Sequence, residues 1–107
     1  YYKEGMKDGK SIWFYENETI SIEYPYEMGK INGIAKTFYS DGSLKSESTY
    51  LNNELNGEEK SYYNSKMLKT KGFYKNGKKE GKWYTYDESG AVIEINKYKN
   101  GVKKWKE

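Results

Sequence analysis

Three residue types that usually carry chemistry are missing from these 107 residues: there is no Cys, no His and, because all 19 basic residues are Lys, no Arg. Without Cys there is no disulfide framework, no thiolate nucleophile and no thiolate-bound zinc. Without His, the usual general base and the commonest metal ligand are gone. Without Arg, the bidentate reader of phosphate and carboxylate is gone. Proline occurs once. No apolar run approaches the roughly 18 residues that would span a membrane as a helix. Aliphatic residues are scarce as well: Leu, Ile, Val and Phe together make 16 of 107. That is below the roughly 20% at which a conventional aliphatic core becomes doubtful.

What is present points away from disorder. Charged residues are 33% of the chain, but the net charge is only +3. The 13 Tyr, 3 Trp and 3 Phe make 18% aromatics, far more than a solvated tail carries. The length suits one domain. The chain opens on Tyr1-Tyr2 rather than Met. This suggests sequence upstream and leaves export and a cytoplasmic location both open.

The tyrosines are periodic. Tyr2, Tyr26, Tyr50, Tyr74 and Tyr98 are 24 residues apart, as are Gly5, Gly29, Asn53, Gly77 and Gly101. Gly9, Gly33, Gly57 and Gly81 form a third column, with Trp105 in its fifth slot. Phe14, Phe38, Tyr62 and Tyr86 form another, then Ile20, Leu44, Leu68 and Val92, then Tyr15, Tyr39, Tyr63 and Asp87. A period of this length marks a repeat array in which each unit stacks on its neighbours to bury its apolar stripe. The chain divides into one repeat domain over residues 1–107, with units at 2–25, 26–49, 50–73 and 74–97 and a partial fifth at 98–107.

Each unit reads as two strands with two breaks. Asp41-Gly42 and Ser89-Gly90 are hairpin signals, and a type I′ turn is expected there. Asn17-Glu18 and Ser65-Lys66 fill the same slot more weakly. The second break, such as Gly77-Lys-Lys-Glu-Gly81, reads as a loop framed by glycines, with Gly29, Gly33, Gly77 and Gly81 as its turn positions. Asn53 in a glycine slot is consistent with left-handed backbone. No apolar stripe of helical period appears. The expected fold is therefore all-β: an open antiparallel meander of consecutive hairpins, about eight to nine strands. If no bulge intervenes, alternation along a strand puts Ile20 and Tyr26 on one face. The structural ladder is then Tyr26, Tyr50, Tyr74, Tyr98, Phe14, Phe38, Tyr62 and Tyr86. Glu23, Glu47, Lys45 and Lys69 fall on an opposite, polar face. The fourth unit departs from this, with Ile93 and Ile95 on the polar side, which suggests a contact surface or a register change there.

The unit Tyr-x-x-Gly-x-x-x-Gly, followed by a paired aromatic, an Asp-Gly-type turn and an aliphatic residue, resembles the MORN repeat (membrane occupation and recognition nexus). Gly81-Lys-Trp-Tyr-Thr-Tyr and Tyr98-Lys-Asn-Gly101 resemble its bacterial variant, found in YwqK-like antitoxin components of toxin–antitoxin systems. The resemblance implies consecutive hairpins, no enzymatic activity and no cofactor. It also implies service as an interaction platform, with anionic phospholipid binding in some eukaryotic members.

Residue chemistry agrees with a non-enzymatic reading. Glu23 and Glu47 share a column but have no sign of a pocket, and no nucleophile–base pair can be built without His or Cys. No catalytic residue, metal ligand or small-molecule substrate is expected. Lysine is skewed toward the end: residues 54–107 carry 13 Lys against 8 acids, whereas residues 1–53 carry 6 against 8. Lys75, Lys79 and Lys82 recur one period later as Lys99, Lys103 and Lys106. They are the candidates for docking an acidic protein or an anionic membrane, set against the simpler role of protecting an edge strand. The absence of Arg and the modest net charge argue against nucleic acid. Trp13, Trp83 and Tyr84 lie outside the columns and are the candidate exposed aromatic contacts. The function expected from sequence is a protein-interaction module with a protein partner, a toxin among the candidates; membrane-surface binding is the alternative. If the ladder is fully buried, Tyr50→Ala costs about 3–5 kcal/mol, by analogy with Phe truncation.

Overall fold

The computed structural model describes residues 2–3 and 6–106, with side chains described from Asp8 to Trp105. Readings that rest on the side chains of Tyr1, Tyr2 and Lys106, or on Gly5, fall outside the described residues. The elements are β1 (Tyr2–Lys3), β2 (Met6–Lys7), β3 (Gly9–Phe14), β4 (Ile20–Glu27), β5 (Lys30–Ile31) and β6 (Gly33–Phe38). They continue as β7 (Leu44–Leu51), β8 (Glu54–Tyr62), β9 (Leu68–Lys75), β10 (Lys78–Tyr86), β11 (Val92–Lys99) and β12 (Val102–Lys106). β1 and β2 pair with each other, and the other ten strands form one antiparallel sheet. Its path from β12 to β3 follows chain order through nine strands, and β5 is a short piece that pairs with β4. The meander read from the sequence is present. The molecule is one layer thick, with extents of 48 × 34 × 15 Å.

The two turns of each unit are the reverse of the sequence assignment. At Asp41-Gly42 only Gly42 has positive φ, at 92°. The Gly42 N–H donates to Tyr39 O at 2.9 Å, and the Tyr39 N–H donates to Ser43 O at 2.8 Å. This is a three-residue loop, a turn closed by one left-handed residue, not a type I′ turn. Asp41 Oδ1 accepts from the Ser43 N–H and hydroxyl, which holds its carboxyl below the ordinary range. The two-residue turns with positive φ at both positions lie at the other end. They are Met28-Gly29 (51°, 82°), Asn52-Asn53 (48°, 71°), Asn76-Gly77 (51°, 79°) and Asn100-Gly101 (49°, 81°). The glycine-framed loop expected at Gly77–Gly81 is strand instead, because Lys78, Lys79, Glu80 and Gly81 are all within β10.

Gly33, Gly57 and Gly81 instead sit where the strand bulges. Tyr50 pairs with Leu55 and Ser48 with Glu59, so three residues of β8 oppose the single residue Thr49. Gly57 takes a φ of 132°, and a Cβ there would lie 2.8 Å from Thr49 Cγ2. Backbone conformation and close approach both call for glycine at this point.

A second bulge corrects the parity argument. Trp13 pairs with Ile22 and Phe14 with Ile20, leaving Ser21 as an extra residue. The same slip recurs at Lys45, Lys69 and Ile93. One extra residue moves the following side chains to the other face. Tyr26, Tyr50, Tyr74 and Tyr98 therefore lie on one face, opposite Gly9, Gly33, Gly57 and Gly81. Phe14, Phe38, Tyr62 and Tyr86 lie on the other, paired with Ile20, Leu44, Leu68 and Val92. We call these the tyrosine face and the phenylalanine face. The single ladder expected from the sequence is two. Glu23 and Glu47 are not on a separate polar face either: Glu47 is on the phenylalanine face and accepts from the Tyr62 hydroxyl at 2.9 Å. Burial first, and the Glu47 carboxylate next, push the Tyr62 phenol up to about 12.

Successive hairpins are tied at both edges of the sheet. Tyr15, Tyr39 and Tyr63 donate their hydroxyls to the carbonyls of Phe38, Tyr62 and Tyr86, at 2.5, 2.6 and 2.7 Å. At the other edge the N–H groups of Asn53, Gly77 and Gly101 donate to the carbonyls of Ile31, Leu55 and Lys79 at 2.8–2.9 Å. Lys45 and Lys69, the bulge residues, place Nζ 5.6 Å from the ring centroids of Tyr39 and Tyr63. In the fourth unit both partners change, to Ile93 and Asp87. Ile93 is thus a bulge residue, not a patch on a polar face.

Two stability predictions follow from this geometry. Tyr50 is half-buried, so the cost of Tyr50→Ala falls to about 1–2 kcal/mol, to be read from the urea midpoint. Lys66 is held at a φ of 79°, where a side chain costs about 1 kcal/mol, so Lys66→Gly is expected to stabilise by up to about that amount. Asn53→Gly, at a φ of 71°, is expected to destabilise instead. It removes an acceptor, Asn53 Oδ1, that takes the Ile31 N–H at 2.7 Å. Equal responses of the two variants would contradict this account.

Candidate functional site

The largest enclosed side chain among the described residues, Trp83, lies on the tyrosine face of the fourth unit. Trp83 is 9% exposed and is paired across the strands with Asn96, also 9% exposed. On its other side Trp83 lies over Gly72, where a Cβ would fall 2.0 Å from Cδ2 of the indole. Gly72 is therefore a seat for the ring and not a turn residue. The indole N–H donates to Phe73 O at 3.2 Å, which satisfies its polar end. Tyr74 and Tyr98 meet the ring edge-on, with centroids at 5.1 and 6.4 Å. Lys79 places Nζ 4.7 Å from the Trp83 centroid and 5.0 Å from that of Tyr98.

Around this group is a cavity of about 320 Å³, lined among others by Glu59, Tyr74, Lys79, Trp83, Glu94 and Asn96. Asn96 Nδ2 donates to Glu94 Oε1 at 3.0 Å. Asn96 Oδ1 is buried and, among the described residues, accepts no hydrogen bond. Glu59 accepts from the Ser48 hydroxyl at 3.0 Å. Burial holds its carboxyl above the ordinary range, opposed by that hydrogen bond and by the charge of Lys79. Burial also raises the Tyr50 and Tyr74 phenols, with the Glu59 carboxylate among the further causes.

The sequence candidates are only partly brought together. Of the three aromatics expected to be exposed, Trp13 is 60% exposed, but Trp83 is buried, because the missing side chain at Gly72 lets it lie flat on the sheet. Tyr84 is half-buried on the phenylalanine face and stacks on Tyr86, with centroids 6.3 Å apart. The lysines gather toward the type I′ edge but not on one face. Lys79 and Lys103 pair with Tyr74 and Tyr98 and so lie on the tyrosine face. Lys75, Lys82 and Lys99 alternate onto the phenylalanine face, where Lys82 approaches the Trp105 ring at 5.9 Å. The backbone of Lys106 pairs with Asn96, and its side chain lies outside the described residues. Among the described residues, no three Asp or Glu side chains converge as a metal site.

Glu59, Gly72 and Asn96 are not among the site candidates read from the sequence, although Gly72 stands out there as the one glycine outside the turn and loop slots. The signal was available in two columns that change character, Ser11-Ala35-Glu59-Trp83 and Tyr24-Ser48-Gly72-Asn96. They face each other across the strands, and the largest residue of one lies beside the smallest of the other.

The sign of the Glu59 effect is definite. A carboxyl raised in the folded state contributes stability that is complete below the ordinary carboxylate range and is lost as pH rises through its folded value. Urea unfolding of Glu59→Gln from acid to neutral pH is expected to lack that loss. The variant should match or exceed the unmodified chain at neutral pH but not in acid. A parallel pH dependence of the two proteins would contradict this.

The repeat pattern has a counterpart among known families. The model of the MORN repeat variant matches residues 7–28, 31–52, 55–76 and 79–100, four segments with the same 24-residue spacing. No curated protein matches the chain.

Proposed function

We propose that this chain, which belongs to the MORN repeat-variant family, is a non-enzymatic module that binds another protein through the open faces of its sheet. The observation that carries this reading is the single layer. No described side chain is less than 2% exposed, so neither face is covered by a second layer. On the phenylalanine face, Ile34 and Phe73 are 51% and 49% exposed and flank Thr49 and Glu58 across four adjacent strands. Apolar side chains rimmed by charge, here Glu47, Glu58 and Lys60 beside Ile34, are the composition of a protein contact.

The split of the lysines between two faces gives the membrane-surface alternative less support than a single basic edge would. The narrower form of the reading, in which the partner is a toxin, rests on the resemblance of the fourth and fifth units alone. Capture from native lysate with quantitative mass spectrometry tests both the general and the narrow form. A stoichiometric protein partner is expected on the unmodified chain. It should be depleted by about tenfold or more on Ile34→Glu/Phe73→Glu, whose positions are exposed enough to leave the fold intact. No partner at micromolar concentration, or one indifferent to both substitutions, would overturn the reading.

A further inference from the structure

We propose that the outer edge of β3 takes an extended segment of the partner protein as one more antiparallel strand. This rests on the protein-interaction reading and adds the mode and the sequence pattern of the contact to it. The first observation is that the two ends of the sheet are finished differently. β12 carries Lys103, Lys104 and Lys106, a common protection of an open edge. β3 carries Ile12, Trp13 and Phe14 in succession, and all three are exposed. In the strands with neighbours on both sides, the slots of Ile12 and Trp13 hold Lys36-Thr37, Lys60-Ser61 and Tyr84-Thr85. An array finished at β3 would carry a polar outer strand there.

The second observation is what covers the same side of the equivalent strands. β6, β8 and β10 are paired there with β4, β7 and β9. Just before each of these lies a tyrosine, Tyr15, Tyr39 or Tyr63, whose hydroxyl donates to the carbonyl of Phe38, Tyr62 or Tyr86. Phe14 heads that acceptor column, and among the described residues no hydroxyl reaches its carbonyl. Its ring is 62% exposed, whereas Phe38, Tyr62 and Tyr86 are half-buried. β1 and β2 pair only with each other.

The equivalents also set the sequence of the visitor. Ile22, Ser46 and Thr70 each follow their tyrosine by seven positions and pair with Thr37, Ser61 and Thr85, the residues of the Trp13 column. Trp83 lies over a glycine, so a small residue suits the position opposite Trp13. The next residue faces Ile12 and is apolar. The segment is therefore Tyr-x6-small-apolar. A second copy of this chain has no such strand to give, because β4, β7 and β9 are paired on both sides.

The test is hydrogen exchange in the ¹⁵N-labelled 107-residue chain. The probe is a peptide of residues 39–51 carrying Glu47→Ile, which sets Ser46 against Trp13 and an apolar side chain against Ile12. At about 1 mM peptide, the outward amides among Ser11–Phe14 are expected to slow by about tenfold or more, with those of β12 unchanged. Tyr39→Phe in the peptide should weaken binding by about threefold to tenfold, since only the hydroxyl is lost. Ile12→Lys/Trp13→Thr gives β3 the pair that β6 already carries and should weaken binding by about tenfold. No slowing, equal slowing at β12, or a scrambled peptide of equal effect would overturn the proposal. Slowing without peptide that grows with chain concentration would assign the edge to a second copy. Slowing without peptide in the complete gene product would assign it to the chain itself, and either result would overturn the partner as its source. In the lysate capture, a partner lost on Ile34→Glu/Phe73→Glu but kept on Ile12→Lys/Trp13→Thr would overturn this proposal alone and leave the protein-interaction reading standing.

Discussion

Hydrogen bonding between consecutive hairpins does for this sheet what a core does for an ordinary domain. Among the described residues there is no second layer to pack against, so each hairpin is held by the ladder bonds, by backbone bonds from each type I′ turn to the preceding unit, and by tyrosine hydroxyls that reach the carbonyl of the next unit. Asn53, Gly77 and Gly101 supply the turn bonds, and Tyr15, Tyr39 and Tyr63 the hydroxyls. Each such bond contributes only about 0.5–1.5 kcal/mol net. Repetition is therefore essential: no single bond decides the fold, and a unit without neighbours would lose its bonds at both edges.

Because lateral contacts dominate, the two bulges of each unit matter more than they would in a sandwich. The wide bulge at Gly57 and its equivalents turns the strand under the tyrosine column. The single extra residue at Ser21, Lys45, Lys69 and Ile93 transfers the aliphatic column to the opposite face. The result is a sheet with aromatic side chains on both sides, from the buried Trp83 through half-buried tyrosines to the exposed Trp13, Phe14 and Phe73. A layer with one apolar and one charged face would need a partner layer; this one divides its aromatic surface instead, and among the described residues only Ala35, Gly72, Trp83 and Asn96 are enclosed by the side chains beside them.

Much of this was legible in the sequence, and the failures have specific causes. The period, the meander and the left-handed backbone at Asn53 follow from residue type and spacing alone. The faces do not. A bulge adds one residue without leaving a compositional mark, and parity counted through it gives the wrong side for Phe14 and Ile20. The turns were interchanged because Asp-Gly suits either a type I′ turn or a three-residue loop, and only the backbone distinguishes them. The burial of Trp83 depended on Gly72, forty-eight residues into a pattern in which that slot holds Tyr24 and then Ser48.

In a repeat protein the regular columns answer to stacking, so a residue that breaks a column without weakening the stack calls for another explanation. Asp87 and Ile93 replace a tyrosine and lysine pair, and Asp87 Oδ1 instead accepts within its own turn, from the Ser89 N–H and hydroxyl and the Ala91 N–H. Local turn chemistry accounts for Asp87. Glu59, Gly72, Trp83 and Asn96 are different, since they form no turn and lie in strands paired on both sides. Ser48 and Ala35, which hold the equivalent slots one unit earlier, show that small side chains satisfy the stack there. Replacing them with a half-buried carboxylate, an indole and a buried amide adds desolvation cost that the fold does not require. That unforced cost is the reason to seek function at the Trp83 cavity before anywhere else among the enclosed columns of the sheet.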